Sequence, residues 1–199
     1  MRRTLPLLIL ALAASAQADR VITIPRGGKI PFGVVRGEYM FEPSQPGTSL
    51  SFLGFGVTTF VDAEIQTDEL RGEKHFTTLN LDFNLNAPIA GIAPGISLGI
   101  FDAANVSPEG RRGYIAVSFQ DSGNGAANIE MTLGGFVGRE SNAFVGVSLP
   151  ASDQFRFLAE HDGEKLSAGA ELKTTTGSYF RLVFRGSQTL LSVGASKKF

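Results

Sequence analysis

Charged residues recur in this chain at alternate positions, inside runs whose intervening residues are apolar or small. Asp62 and Glu64 flank Ala63, Asp82 lies between Leu81 and Phe83, and Glu130 lies between Ile129 and Met131. Arg36 and Glu38 are two residues apart, Arg156 and Glu160 four, and Arg181 and Arg185 four, while Glu171 sits between Ala170 and Leu172. On a strand, residues two or four apart share a face. The pattern therefore gathers ions of both signs on one side of the backbone. Such a face has two uses: its charges pair with one another and fill an interior, or they line a polar path or cavity for a solute. Pairing is the condition for burial, because an isolated buried charge is costly.

Catalytic chemistry has little to stand on. His75 and His161 are the only histidines. A serine–histidine arrangement needs one of them beside a serine and an orienting polar group, and no motif ties a serine to either. His161 does fall on the apolar register, where a lipid hydrolase would place it, so that reading stays open as an alternative. Two distant histidines make no zinc pattern. Asp62, Glu64 and Asp68 supply oxygen ligands of the kind calcium takes, but a solvated strand face explains them more simply. The chain has no cysteine, which removes disulfides, thiolate metal sites and a thiol nucleophile. The expectation is no catalytic residue, no metal and no cofactor.

The elements that carry these charges are strands. Period-two alternation marks twelve runs: 31–42, 48–57, 59–68, 74–86, 95–102, 112–120, 127–137, 142–149, 154–161, 165–174, 178–185 and 189–199. In 74–86, Leu79, Leu81, Phe83 and Leu85 oppose Asn80, Asp82, Asn84 and Asn86. Turn residues separate most runs, as at Asp162-Gly163 and Thr176-Gly177. Val57 to Phe60 lacks a strong turn residue, so 48–68 reads as one strand or two. An even count keeps both ends of a barrel on one side, which favours twelve. Each run is about the nine to eleven residues that a tilted strand needs to cross a bilayer.

The first residues carry an address. Arg2 and Arg3 precede an apolar run over 5–14, and Ala16-Gln17-Ala18 supplies a small-x-small cleavage site. Residues 1–18 are therefore read as a signal peptide, too short to span as a helix. Residues 19–30 are read as a periplasmic lead-in and 31–199 as the barrel domain. Loss of the leader takes two arginines, leaving 16 basic residues against 19 acidic ones and a net charge near −3. Nucleic acid is not an expected partner of such a surface.

The last run, Leu191-Ser192-Val193-Gly194-Ala195-Ser196-Lys197-Lys198-Phe199, resembles the terminal strand of bacterial outer-membrane β-barrels. That resemblance implies that Phe199 is read by the barrel-assembly machinery and that the apolar face meets outer-membrane lipid. Phe157-Leu158-Ala159-Glu160-His161-Asp162-Gly163, then Leu166-Ser167-Ala168-Gly169, resembles a hairpin of YjbH-like barrel proteins. Pro94 to Asp102 and Gly113 to Val117 are similar to the hairpin before it. His161 and Ser167 stand where that family has Tyr and Asn. The resemblance spans roughly residues 94–199 and implies an outer-membrane location and a link to exopolysaccharide or its export components. The resulting expectation is an all-β, up-and-down transmembrane barrel of about twelve strands, non-enzymatic, with a structural, transport or export-related role. The alternatives are the lipid hydrolase and a soluble periplasmic β-rich binding domain. If the apolar face meets lipid, Leu81→Arg costs roughly 2–4 kcal/mol or blocks insertion, and Asn80→Arg is tolerated much better.

Overall fold

A computed structural model describes residues 20–28, 30–69, 75–122, 128–139 and 141–199; the leader read over 1–18 lies outside them. The alternating runs become β1 (Val34–Phe41), β2 (Ser49–Gly56), β3 (Val61–Asp68), β4 (Phe76–Asn86), β5 (Gly95–Phe101) and β6 (Arg112–Ser122). They continue as β7 (Asn128–Gly138), β8 (Ala143–Pro150), β9 (Phe155–His161), β10 (Leu166–Lys173), β11 (Ser178–Arg185) and β12 (Gln188–Lys198). Every strand pairs antiparallel with its sequence neighbours, and β1 pairs with β12 from Val34↔Lys198 to Phe41↔Leu191. The result is a closed barrel of twelve strands, which leaves no unpaired edge.

The stretch 48–68 is two strands. Val57 and Thr58 donate their N–H groups to the Val61 carbonyl, 3.0 Å each. The Thr58 hydroxyl accepts from the N–H groups of Phe60 and Val61 at 3.1 and 3.0 Å. A threonine thus closes this turn in place of glycine or proline.

The alternation sorts the side chains as the pleat requires. Leu79, Phe83, Ile115, Phe119, Met131, Leu133, Val145 and Phe157 are exposed on the outside. Asn80, Tyr114, Ser118, Glu130, Thr132, Phe144 and Glu160 are buried inside. An inside-out distribution of this kind fits a barrel whose exterior solvent is hydrocarbon.

Of residues 19–30, expected as a periplasmic lead-in, those the structure describes do not stay outside. The described part of this segment runs through the barrel interior. Arg20 and Pro25 form a small antiparallel bridge, with the Val21 N–H on the Ile24 carbonyl at 3.2 Å. Val21, Ile22, Ile24 and Ile30 are each at most 2% exposed, and the first three pack with inward residues of the wall, among them Met40, Leu50, Phe52 and Leu158. The physical reason is that a short apolar run finds apolar walls inside the barrel, and its arginines and N–H groups find carboxylates that accept them. Two glycines make the room. A Cβ on Gly146 would lie 2.7 Å from the Ile24 Cδ1, and one on Gly95 would lie 2.1 Å from the Gly27 carbonyl oxygen.

Candidate functional site: the stoppered lumen

The charges singled out by spacing all sit on inward positions, and the fold divides them into clusters. On β1, β9, β10, β11 and β12 they form one network. Arg36 donates to Glu38 at 2.8 Å, and Arg181 donates to Glu38 at 3.1 Å and to Glu171 at 2.8 Å. Arg156 approaches Glu171 at 3.3 Å and Lys173 does so at 3.8 Å. Tyr179 and Ser192 complete the shell around Glu38, donating at 2.8 and 2.6 Å. Arg181 and Glu38 are 3% exposed, and the condition for burying them is met by their several hydrogen bonds, while Glu171 Oε1 has ion-pair neighbours but no hydrogen bond. Arg185 pairs with Asp162 at 2.7 Å, at the barrel end opposite the chain terminus.

The opposite wall, β3 and β4, presents acids: Asp62, Glu64 and Asp82. Their partners come largely from the N-terminal segment and from amides. Arg20 donates its Nε to Glu64 at 2.9 Å and a terminal nitrogen to the other carboxylate oxygen. Ile30 N–H and Asn84 Nδ2 donate to Asp62 at 2.9 and 3.1 Å. Asn80 Nδ2 donates to Glu64 at 2.9 Å, and the Tyr114 hydroxyl donates to Asp82.

Two further acids hold the segment from β7 and β9. Arg26 pairs with Glu130, which also accepts from Gln120 at 2.8 Å. Glu160 accepts the N–H groups of Ile22 and Thr23 at 2.8 and 2.9 Å, with Ile24 N–H at 3.3 Å and the Thr23 hydroxyl at 2.6 Å. Spacing alone set Glu160 beside Arg156; in the barrel Arg156 turns to Glu171 and Glu160 holds backbone. Between these anchors, Gly27 N–H donates to Ser118 at 2.8 Å and Ser97 donates to the Arg26 carbonyl at 2.7 Å.

Above the segment, at the end away from the terminus, a cavity of about 120 Å³ opens. Arg20, Phe52 and Phe101 line its floor, and Arg112, Asp162 and Lys165 lie nearer the mouth. Loop 102–111 shapes one rim. Burial would raise the Asp102 carboxyl, but the N–H groups of Val106 and Ser107, at 2.9 and 2.7 Å, outweigh it and hold the group below the usual carboxylate range. Asp102 takes φ of 51° to make this loop, a conformation that Asp tolerates better than most residues.

The residues missed by spacing are those of the segment itself, Arg20, Thr23 and Arg26, together with Tyr114, Tyr179 and Asn80. A pair of arginines around an apolar run, just after the stretch read as a leader, was the available signal. His75 pairs with Glu69 at 2.8 Å. His161 is exposed, and its Nδ1 accepts the Gly163 N–H at 3.1 Å, so the neutral ring carries its proton on Nε2 and offers a donor there. Among the described residues no group of three acids or histidines is arranged to hold a metal, and no helix is long and apolar enough to cross a membrane.

No family model matches the chain, and no curated protein does. Among solved structures the barrel is similar to the crystal structure of the outer membrane protein Omp33 of Acinetobacter baumannii. The likeness has a TM-score of 0.53 at 8% identity and covers 83% of this chain and 97% of that one. At that identity the likeness is one of fold alone, and the fold of this chain is a closed, all-antiparallel β-barrel.

Proposed function

We propose that the chain is an outer-membrane barrel that rests closed, its lumen stoppered by residues 20–30, and that passes small solutes when the stopper leaves. The observation that carries this reading is the seating of the segment. Glu160 grips its backbone, Glu64 and Glu130 take its two arginines, and glycines in the wall are cut to its shape. Every backbone group of a spanning wall must be satisfied within the protein, and closure of β1 on β12 does that without the stopper. The segment is therefore separable from the wall in a way that a strand is not. A purely structural role is the second reading, and the bonded network around Glu38 favours it, since that network fills its side of the lumen without help from the segment.

The test is conductance in planar bilayers. The full mature chain is expected to be silent or to open rarely. A chain lacking residues 20–30 is expected to give steady, stepwise currents while keeping the heat-modifiable gel migration of a folded barrel. A folded but silent deletion would set the transport reading aside in favour of the structural one.

A further inference from the structure

The floor of the mouth cavity is built as a cation receptor. Arg20 is 4% exposed, and its guanidinium carbon lies 4.9 Å from the Phe52 ring centroid and 4.8 Å from that of Phe101. The carboxylate of Glu64, 2% exposed, meets the same guanidinium through both oxygens. Asn80 donates to Glu64 at 2.9 Å and so fixes its orientation. A planar cation between two aromatic faces, with a bidentate acid at its edge, has the elements by which proteins select guanidinium over ammonium.

The position of this receptor gives it a use. The 120 Å³ cavity lies on one side of Arg20. On the other lies a small cavity of about 10 Å³, which Arg20 also lines, together with Asp62, Asp82 and Tyr114. Arg20 lines both, and Asp62 and Asp82 make the second acidic. We propose that Glu64, Phe52 and Phe101 form a binding site for a solute bearing a guanidinium group, which Arg20 occupies in cis as a stand-in for that solute. The inference rests on the stopper reading and adds to it a ligand class: basic solutes compete with Arg20, and cations rather than anions follow the path it opens.

The experiment uses the mature chain in detergent, with methylguanidinium, methylammonium and sodium as probes in isothermal titration. Arg20→Ala is expected to bind methylguanidinium about tenfold more tightly than methylammonium, and the unaltered chain to bind neither. Adding Glu64→Gln to Arg20→Ala is expected to abolish the binding. No binding by the folded single variant, or equal binding by the double variant, overturns the proposal. If Arg20→Ala does not fold, it is refolded with each probe. Recovery of the heat-modifiable form with methylguanidinium alone supports the site, and no difference between probes overturns it. A deletion of 20–30 that conducts but ignores methylguanidinium leaves the stopper reading standing and ends this one. A silent deletion beside an Arg20→Ala chain that binds methylguanidinium ends the stopper reading and the cation path with it, and leaves the guanidinium site standing.

Discussion

Glu160 shows how one carboxylate can hold a length of chain. Its two oxygens accept N–H groups from three successive residues, Ile22 to Ile24, and a hydroxyl from Thr23. Hydrogen bonds to a charged group contribute about 1.5–3 kcal/mol each, and removal of the acceptor leaves donors buried without one. Glu160→Ala is expected to weaken the seating by about 3 kcal/mol, roughly a hundredfold in the population of the unseated segment. The measurement is limited trypsin digestion with N-terminal sequencing. Arg26 is 5% exposed and paired to Glu130, so the bond after it is expected to resist in the unaltered barrel and to be cut in the variant. The wall itself should keep its heat-modifiable migration in both. Equal resistance would mean that the arginine pairs, and not this carboxylate, hold the segment.

At the scale of elements, period-two alternation was enough to read the wall. Each of the twelve strands falls on an expected run, because in a barrel every strand meets hydrocarbon on one side and interior on the other, and that contrast is written into each residue pair. The turn at 57–60 was harder, since Thr58 closes it with a hydroxyl rather than with backbone freedom. The seating of the stopper was not legible, although the two arginines around its apolar run were a signal. Val21-Ile22-Thr23-Ile24 is too short to show a period, and its partners Glu64, Glu130 and Glu160 are far away in sequence. Its presence also changes what the inner face tolerates. Asn80 is fully buried, donates to Glu64 and accepts the Asp102 N–H at 3.0 Å, so an arginine there lacks space and comparing Asn80→Arg with Leu81→Arg does not isolate the two faces. Neighbours on β3 make the fair comparison. Ile65 is exposed on the outer face, while Gln66 turns inward to line the mouth cavity. Ile65→Arg is expected to cost about 2–4 kcal/mol near mid-bilayer, and Gln66→Arg far less, because its charge reaches water. Urea unfolding in lipid vesicles checks this, and equal midpoints for the two would sink the assignment of the outer face to lipid.

At the scale of the whole molecule, the barrel depends on joining its first strand to its last, and Phe199 stands where they meet. Its N–H donates to the Gly33 carbonyl at 2.9 Å, one step beyond the last rung of β1 with β12. Its ring is 80% exposed, on the rim that also carries Phe32 and Phe60, 62% and 64% exposed. Aromatic rings at such a rim match a membrane interface, apolar on one side and near headgroups on the other. Lys197, on the same register as Phe199, is half-buried there, and its long stem lets the ammonium reach headgroups. The exposed ring thus adds little to the interior, which leaves the insertion step as the place to test its contribution. Deletion of Phe199 or Phe199→Asp is expected to leave export intact and to lower the share of chain recovered in outer membranes as a heat-modifiable species, with unassembled chain degraded in the periplasm. The same variants refolded from urea into detergent should close normally, since the rungs from Val34 to Phe41 remain. That contrast separates a recognition role from a structural one: a variant that fails in detergent as well would show that Phe199 holds the seam, and unchanged recovery in cells would remove it from assembly altogether.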